Sequence, residues 1–334
     1  MIMNVYRIVW ADDDIDDILD EETEKELEVE GFINIKRAHN GKELEALLRK
    51  PEFIDAVIVD ANFNESDGVV ESDRDTSGLD YARGLYTHTL KKEIPFFIFT
   101  NRSDEQLKET YQHNKSFLAD FPRYKRWFKK DSMEEYTNMF NEIKRTVDEA
   151  KSPSFILRNR YKYEFNAATL IDGAEELFFE FLTRDKEDTL PEMTEPFIRV
   201  RRIIEKTFGK CQTWKIIPPI SDNTNGTAAY FVYNCYSIKE EESYRKIYEM
   251  DGGDIMAKPL ASALKYIVDI TQDAAHSKSE LKLKVDEYFE ETKDILLLKS
   301  VVFILMDVVK WFAITALSHK NPEENKETLW HKCE

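Results

Sequence analysis

Acidic, hydroxyl and basic residues follow short apolar runs in the first 150 residues of this chain. Asp12–Asp14 follow one such run, Asp60 follows AVIV, Thr100 follows PFFIF, and Lys129 and Lys130 follow RWF. Clustered carboxylates repel each other unless a cation lies between them, and Mg²⁺ prefers oxygen ligands. A carboxylate so placed can act as a nucleophile on a phosphoryl group, while an ammonium offsets charge on the transferring oxygens. These residue types predict magnesium-dependent phosphoryl chemistry, provided that the fold gathers them.

Apolar runs alternate with helix-length segments through this half of the chain. The pattern predicts strands at Val5–Trp10, Ile33–Ala38, Ala56–Val59, Pro95–Phe99 and Arg126–Phe128. It predicts helices at Asp16–Glu30, 41–48, Leu79–Leu90, Asp104–Asn114 and Met133–Ala150. Strands separated by helices indicate a parallel sheet, whose active groups lie past the carboxyl ends of the strands. We expect an α/β fold with a doubly wound, flavodoxin-like sheet of five strands.

Four segments carry a resemblance to a known family. VWADDDIDD, AVIVDANF, PFFIFTN and RWFKKDSMEEY resemble, in order, the four signature blocks of response-regulator receiver domains. The resemblance covers residues 4–150 and implies a two-component phosphorelay, with a phosphohistidine donor on a sensor histidine kinase or phosphotransfer protein.

The resemblance implies a role for each matching acidic residue. Asp60 would be the phospho-acceptor. Asp12 and Asp13 would form the acidic pair that binds Mg²⁺, with Asp13 the direct ligand and Asp14 its alternative. The backbone carbonyl of Asn62 would complete the metal site.

Thr100 and a lysine would act on the phosphoryl oxygens. Thr100 would be the switch hydroxyl, and Lys129 the ammonium that contacts the phosphoryl group. Lys129 is preferred to Lys130 because the acidic pair Glu134-Glu135 then falls at the family's usual spacing.

The chain departs from the family pattern in three places. The loop at 61–77 is long, lacks the usual proline and is acidic, so we expect a flap beside the site that alters donor choice or dephosphorylation. The stretch from Thr100 to Lys129 is also long. The residue three positions before Lys129, usually aromatic in the family, is Arg126 here.

The second half, residues 151–334, is predicted to be a mostly α-helical output or dimerisation domain, with the boundary at 151–154. Helical periodicity extends over Tyr161–Leu182, Phe197–Phe208, Pro259–Asp273, Lys284–Leu297 and Leu298–Leu317. Two segments rich in aromatic and β-branched residues, Trp214–Ile220 and Ala228–Tyr236, are predicted to form a hairpin. The polar tail after His319 is expected to fray.

Charge and composition exclude several function classes. The chain has a net charge of −18, with 21 basic and 34 acidic residues in 1–150. That field disfavours nucleic-acid and membrane-surface binding. The apolar run Ile295–Leu317 carries Lys299, Asp307 and Lys310 on one face, which predicts a core helix rather than a membrane span. Three cysteines without metal spacing and the lack of a signal peptide favour a cytoplasmic protein.

The sequence therefore favours a response regulator whose receiver is coupled to a helical effector, with a homodimer left open and no independent catalytic output domain identified. Two alternatives remain. One is a receiver-gated RNA-cleaving effector, because TQDAAHSK with His276 faintly resembles the HEPN superfamily, although its arginine is absent. The other is a receiver-like interaction scaffold that is never phosphorylated.

Overall fold

The computed structural model describes residues 4–61, 94–101, 127–184, 195–218, 232, 237–240, 243–246, 248–251, 255–275, 285–292, 295–319 and 321–333. The chain divides into two compact units, residues 1–160 and 161–334. Predicted helices Leu79–Leu90 and Asp104–Asn114, and most of the acidic loop, lie outside the described residues.

A five-stranded sheet forms the centre of the first unit. Its strands are β1 (Ile8–Ala11), β2 (Lys36–Ala38), β3 (Ala56–Val59), β4 (Phe96–Thr100) and β5 (Trp127–Lys129). Every pairing is parallel, and the spatial order is β2-β1-β3-β4-β5. This is the flavodoxin-like order, in which the chain changes direction between β1 and β3 and leaves a crevice at their carboxyl ends. The predicted fold class is confirmed.

The described helices of this unit are α1 (Ile15–Ile18), α2 (Glu21–Val29), α3 (Gly41–Leu47), α4 (Met133–Ala150) and α5 (Pro153–Arg160). Side chains cap four of them: Asp20 accepts from the Thr23 N–H, Asn40 from that of Glu43, Ser132 from that of Glu135, and Ser152 from that of Phe155. Such caps satisfy N–H groups that lack helical partners. The Asp20 cap also explains why predicted helix Asp16–Glu30 is two helices, since Asp20 has extended backbone between them.

Side chains alternate between the two faces of the sheet, as the two-residue strand period requires. On one face, Trp10, Phe97 and Phe128 pack with Phe140 of α4. On the other face, Val9, Val57 and Phe96 pack with Leu44 of α3. Strands β1, β3 and β4 are buried at every position, so apolar side chains fill both faces of the sheet at its centre.

Helix α5 belongs to the first unit. Arg158 makes a bidentate ion pair with Asp55, and both side chains are almost completely buried. Asn159 accepts from the Val5 N–H and donates to the Val5 carbonyl. The first compact unit therefore continues through the predicted boundary region at 151–154 and ends at Arg160.

The second unit is mostly helical. Its described elements are α6 (Lys162–Ala168), α7 (Ala174–Thr183), α8 (Glu195–Thr213), β6 (Ser237–Glu240), β7 (Ser243–Lys246), β8 (Tyr248–Met250), α9 (Lys258–Ala275), α10 (Val285–Thr292), α11 (Leu296–Ser318), α12 (Pro322–Thr328) and β9 (Trp330–Lys332). Helix α11 packs against α6, α7, α8 and α9.

Helix α11 is long and apolar enough to cross a membrane by length and composition, and half of its most apolar stretch is buried inside the protein. Its Lys310 pairs with Glu164 at 2.6 Å. Its Val301, Leu305 and Phe312 are fully buried. These contacts agree with the predicted core helix.

Three predictions for this unit were wrong in detail. Tyr161–Leu182 is not one helix: α6 ends at Ala168, and α7 begins only after Gly173, whose φ of +85° lies outside the helical range. Residues 214–218 form a turn that closes α8 rather than a strand, with Lys215 at φ +53°. The tail does not fray: it forms α12 and β9, and β9 pairs with β8.

Candidate functional site

Three backbone hydrogen bonds extend the strand pairing one residue beyond the carboxyl ends of β1, β3 and β5. The Asp12 N–H donates to the Ala38 carbonyl at 3.0 Å, and the Asp60 N–H to the Ala11 carbonyl at 2.9 Å. The Lys130 N–H donates to the Thr100 carbonyl at 3.2 Å. Residues far apart in the sequence are thereby fixed side by side at one edge.

The side chains at this edge form a compact charged group. The Lys130 Nζ lies 2.7 Å from Asp12 Oδ2 and 3.6 Å from Asp60 Oδ1. The Asp12 and Asp60 side chains are 0% and 6% exposed, and that of Lys130 is 14% exposed. Burial strengthens the attraction between these charges and raises the cost of leaving them uncompensated.

Asp13 joins the two buried carboxylates. Asp12, Asp13 and Asp60 each offer one oxygen, and these oxygens all lie within 4.8 Å of one another. Asp13 is exposed, so the cluster opens to solvent on one side. An all-oxygen donor set with solvent access suits a hard divalent cation that keeps several waters, as Mg²⁺ does. The residues present therefore fit the predicted metal.

Burial and neighbouring charges shift two groups of the site. Burial raises the pKa of Asp12 to about 6, an effect that the Lys130 ammonium opposes and the Asp60 carboxylate reinforces. Burial disfavours the charged form of Lys130, but its bond to Asp12 and the charges of Asp60, Asp12 and Asp13 outweigh this and raise its pKa. Lys130 is therefore a firmly protonated cation at neutral pH.

The structure places Lys130, rather than the preferred Lys129, against the carboxylates. Lys129 is the last residue of β5 and pairs in register with Thr100. Lys130 follows in the turn after the strand, where its side chain reaches Asp12 and Asp60. The preference for Lys129 came from its spacing to Glu134-Glu135, and that spacing does not report where β5 ends.

The remaining predicted site residues have mixed positions. Thr100 is fully buried at the end of β4. Asp14 is outside the carboxylate cluster. Its backbone N–H donates to Asp12 Oδ1, and its carbonyl accepts the first helical hydrogen bond of α1, from the Ile18 N–H. Asn62 and His276 lie outside the described residues.

The arrangement of this edge establishes the type of fold. The sheet order is β2-β1-β3-β4-β5, with carboxylates past β1 and β3 and an ammonium past β5. The first unit has a receiver-like fold.

Among solved structures, the chain is similar to a response regulator receiver domain protein (CheY-like) from Methanospirillum hungatei JF-1. The identity is 18% and the TM-score 0.32, over 44% of this chain and 98% of that one. No family model matches the chain, and no curated protein matches it.

Proposed function

We propose that this protein is a response regulator whose first unit accepts a phosphoryl group on Asp60. The observation that carries the proposal is the contact of Lys130 with Asp12 and Asp60, beside a third carboxylate from Asp13. A nucleophilic carboxylate, a set of metal ligands and a charge-compensating ammonium are the groups that phosphoryl transfer needs.

Asp60 would act as the nucleophile. One of its carboxylate oxygens attacks the phosphorus of a phosphohistidine, so that a P–O bond forms, the P–N bond breaks and the imidazole leaves with the electron pair. Mg²⁺, when bound by Asp12, Asp13 and Asp60, would neutralise charge on the phosphoryl oxygens. Lys130 would hold a non-bridging oxygen throughout, since its raised pKa keeps it charged.

Thr100 and Trp127 are the candidates for the response to phosphorylation. Thr100 ends β4, next to β5, and its hydroxyl would turn toward the new phosphoryl oxygens. Counting back three positions from Lys130 gives Trp127, an aromatic side chain, where counting from Lys129 gave Arg126. Trp127 is half-buried against Ala61 and Ile98. Choosing Lys130 thus restores the family's usual pairing of a threonine with an aromatic residue.

The output would be a change in the second unit, residues 161–334. A phosphoryl group adds about −1.5 to −2 charges to an edge that is already acidic. We propose that the resulting shift reaches the helical unit through α4 and α5, which lead to it along the chain. Hydrogen exchange of residues 161–334 with and without the acyl-phosphate mimic beryllofluoride tests this relay, and identical protection would refute it.

Incubation with acetyl phosphate and Mg²⁺, followed by intact-mass measurement, tests the acceptor. We expect the wild type to gain one phosphoryl group and Asp60→Asn to gain none. A gain that survives Asp60→Asn, or no gain in the wild type, would favour the non-phosphorylated scaffold.

Lys130→Ala and Lys129→Ala form a matched pair for the ammonium. Lys130→Ala should slow labelling by about tenfold or more, because it removes the cation that contacts Asp12 and Asp60. Lys129→Ala removes the same charge one residue earlier and should label at close to the wild-type rate. The reverse result would return the role to Lys129.

A further inference from the structure

A groove lies between α2 and α4 in the first unit, and it encloses about 560 Å³. Leu27 and Phe140 line it and are 4% and 5% exposed. Val29 and Met133 also line it and are 75% and 78% exposed. Large apolar side chains exposed around a concave surface are typical of an interaction site.

The α2 side of the groove is strongly acidic. Residues 20–30 contain seven acidic residues and one basic residue. Three of the glutamates have basic partners, in the pairs Glu21–Lys25, Glu24–Arg37 and Glu30–Lys144. Among the described residues, no basic side chain pairs with Glu22, Glu26 or Glu28, and all three are exposed. Glu26 lines the groove itself.

The groove also contains a buried hydroxyl. Tyr136 lines it, and its Oη is buried with no hydrogen-bond partner among the described residues. Burial, together with the charges of Glu26 and Asp20, raises the pKa of Tyr136 to about 12, so the hydroxyl stays protonated. A buried donor left unmatched costs free energy that an incoming acceptor would recover.

These features favour one type of occupant. A helix that lies in a groove presents apolar side chains at helical spacing to the apolar surface beneath it. Basic side chains on its flanks would meet Glu26 and the exposed acidic residues of α2, which steer a cationic partner and repel an anionic one.

We propose that this groove binds a basic amphipathic helix of a partner protein. Its apolar side chains cover Leu27, Val29, Met133 and Phe140, and one of its lysines or arginines reaches Glu26. This interaction does not depend on phosphorylation of Asp60, so it can hold or fail independently of the proposed acceptor chemistry.

The test uses the full-length chain and two labelled synthetic peptides of about four helical turns. Both carry leucines at helical spacing, one with flanking lysines and the other with glutamates in their place. Fluorescence anisotropy should show saturable binding of the lysine peptide that weakens with salt, and at least about tenfold weaker binding of the glutamate peptide. No binding of the lysine peptide, or equal binding of both, would overturn the proposal.

Variants locate the binding. The double variant Val29→Ser, Met133→Ser should bind the lysine peptide about tenfold or more weakly than the wild type. Both side chains are exposed enough to be replaced without unfolding the protein. Glu26→Lys should weaken the binding of the lysine peptide by a similar factor. Glu28→Lys, which makes the same charge change on α2 outside the groove lining, should have a much smaller effect.

Equal losses of peptide affinity in Glu26→Lys and Glu28→Lys would mean that the peptide is attracted only by the overall acidic charge of α2. The groove would then be rejected as the binding site. Self-association of the wild type that the Val29→Ser, Met133→Ser variant abolishes would replace the partner helix by a second copy of the chain.

Discussion

Strand β3 is flanked by two buried aspartates whose surroundings differ. Asp55, before the strand, accepts two bonds from Arg158, at 2.5 and 3.3 Å, and one from the Arg7 N–H at 2.9 Å. Asp60, after the strand, lies beside Asp12 and Asp13, and the Lys130 ammonium contacts Asp12 and Asp60. At one edge the chain matches its own charge with a bidentate pair. At the other edge, among the described residues, the Lys130 ammonium contacts two of three clustered carboxylates.

The difference separates a structural ion pair from a site that can bind a ligand. Asp55 and Arg158 neutralise each other and tie α5 to the segment before β3, so they offer little to an external ion. The Asp60 edge brings like charges together, and burial makes this costly unless a cation is supplied. The four changes below test this comparison.

Breaking the structural pair should have the largest effect. Arg158→Ala leaves the Asp55 carboxylate buried with its charge uncompensated, so we expect the free energy of unfolding to fall by about 3–5 kcal/mol. Urea denaturation measures it. Asp55→Asn with Arg158→Met keeps an acceptor for the Arg7 N–H and should recover most of the loss. A loss below about 1 kcal/mol in Arg158→Ala would show that the pair does not hold α5.

Removing the Asp12 carboxylate from the opposite edge should raise the free energy of unfolding rather than lower it. The pKa of Asp12 is about 6 in the folded protein, against an ordinary value of 3.8. Between these two values the folded protein holds the Asp12 proton more tightly than the unfolded chain does. The contribution of Asp12 to stability is therefore greatest below pH 3.8, falls as the pH rises towards 6, and stays low above that.

Without Mg²⁺ at about pH 8, we expect Asp12→Asn to raise the free energy of unfolding by about 1–3 kcal/mol. The wild type should lose stability relative to this variant between about pH 4 and 6, as followed by urea denaturation at several pH values. If Asp12→Asn were less stable than the wild type at about pH 8, the ionised Asp12 carboxylate would not be destabilising at this edge.

Mg²⁺ should stabilise the wild type at about pH 8. At a concentration ten times its Kd, a ligand that binds only the folded state adds about 1.4 kcal/mol, measurable as a rise in Tm. Asp13→Asn should weaken the response because it removes one of the clustered oxygens. Asp14→Asn is the matched control, since Asp14 adjoins the cluster without joining it, and an equal loss there would point to general charge screening.

The half-exposed pair Lys144–Glu30 should have the smallest effect. Its side chains are 21% and 63% exposed, and solvent screens their attraction. We expect Lys144→Gln to change the free energy of unfolding by less than about 1 kcal/mol, again by urea denaturation. A loss comparable to that of Arg158→Ala would mean that burial is not what distinguishes the Asp55 pair.

Much of the first unit could be predicted because its signals are local. The run AVIV is apolar at every position, and it is β3 with the predicted bounds. The bounds of α4 were also predicted, since Ser132 caps its start and its apolar positions recur at helical spacing. The break between Ala168 and Ala174 was missed because helical periodicity continues on both sides of it.

The carboxylate edge was predictable only in part. Asp12, Asp13 and Asp60 follow apolar strands, and the topology rule brings such residues together. The choice between Lys129 and Lys130 depends on where β5 ends and on its register with β4, which neighbouring strands set. Asp55 and Arg158 are 103 residues apart, and no local pattern connects them.

The sequence by itself determined the chemical groups and their order along the chain, because apolar periodicity is a local property of neighbouring residues. It also predicted the parallel sheet, since parallel strands need crossover connections and helix-length segments separate these strands. The tertiary structure decided which lysine meets the carboxylates, which buried aspartate is neutralised by its own chain, and that α2 and α4 leave an acidic groove. Each of these depends on distances between residues far apart in the sequence, and only packing sets such distances.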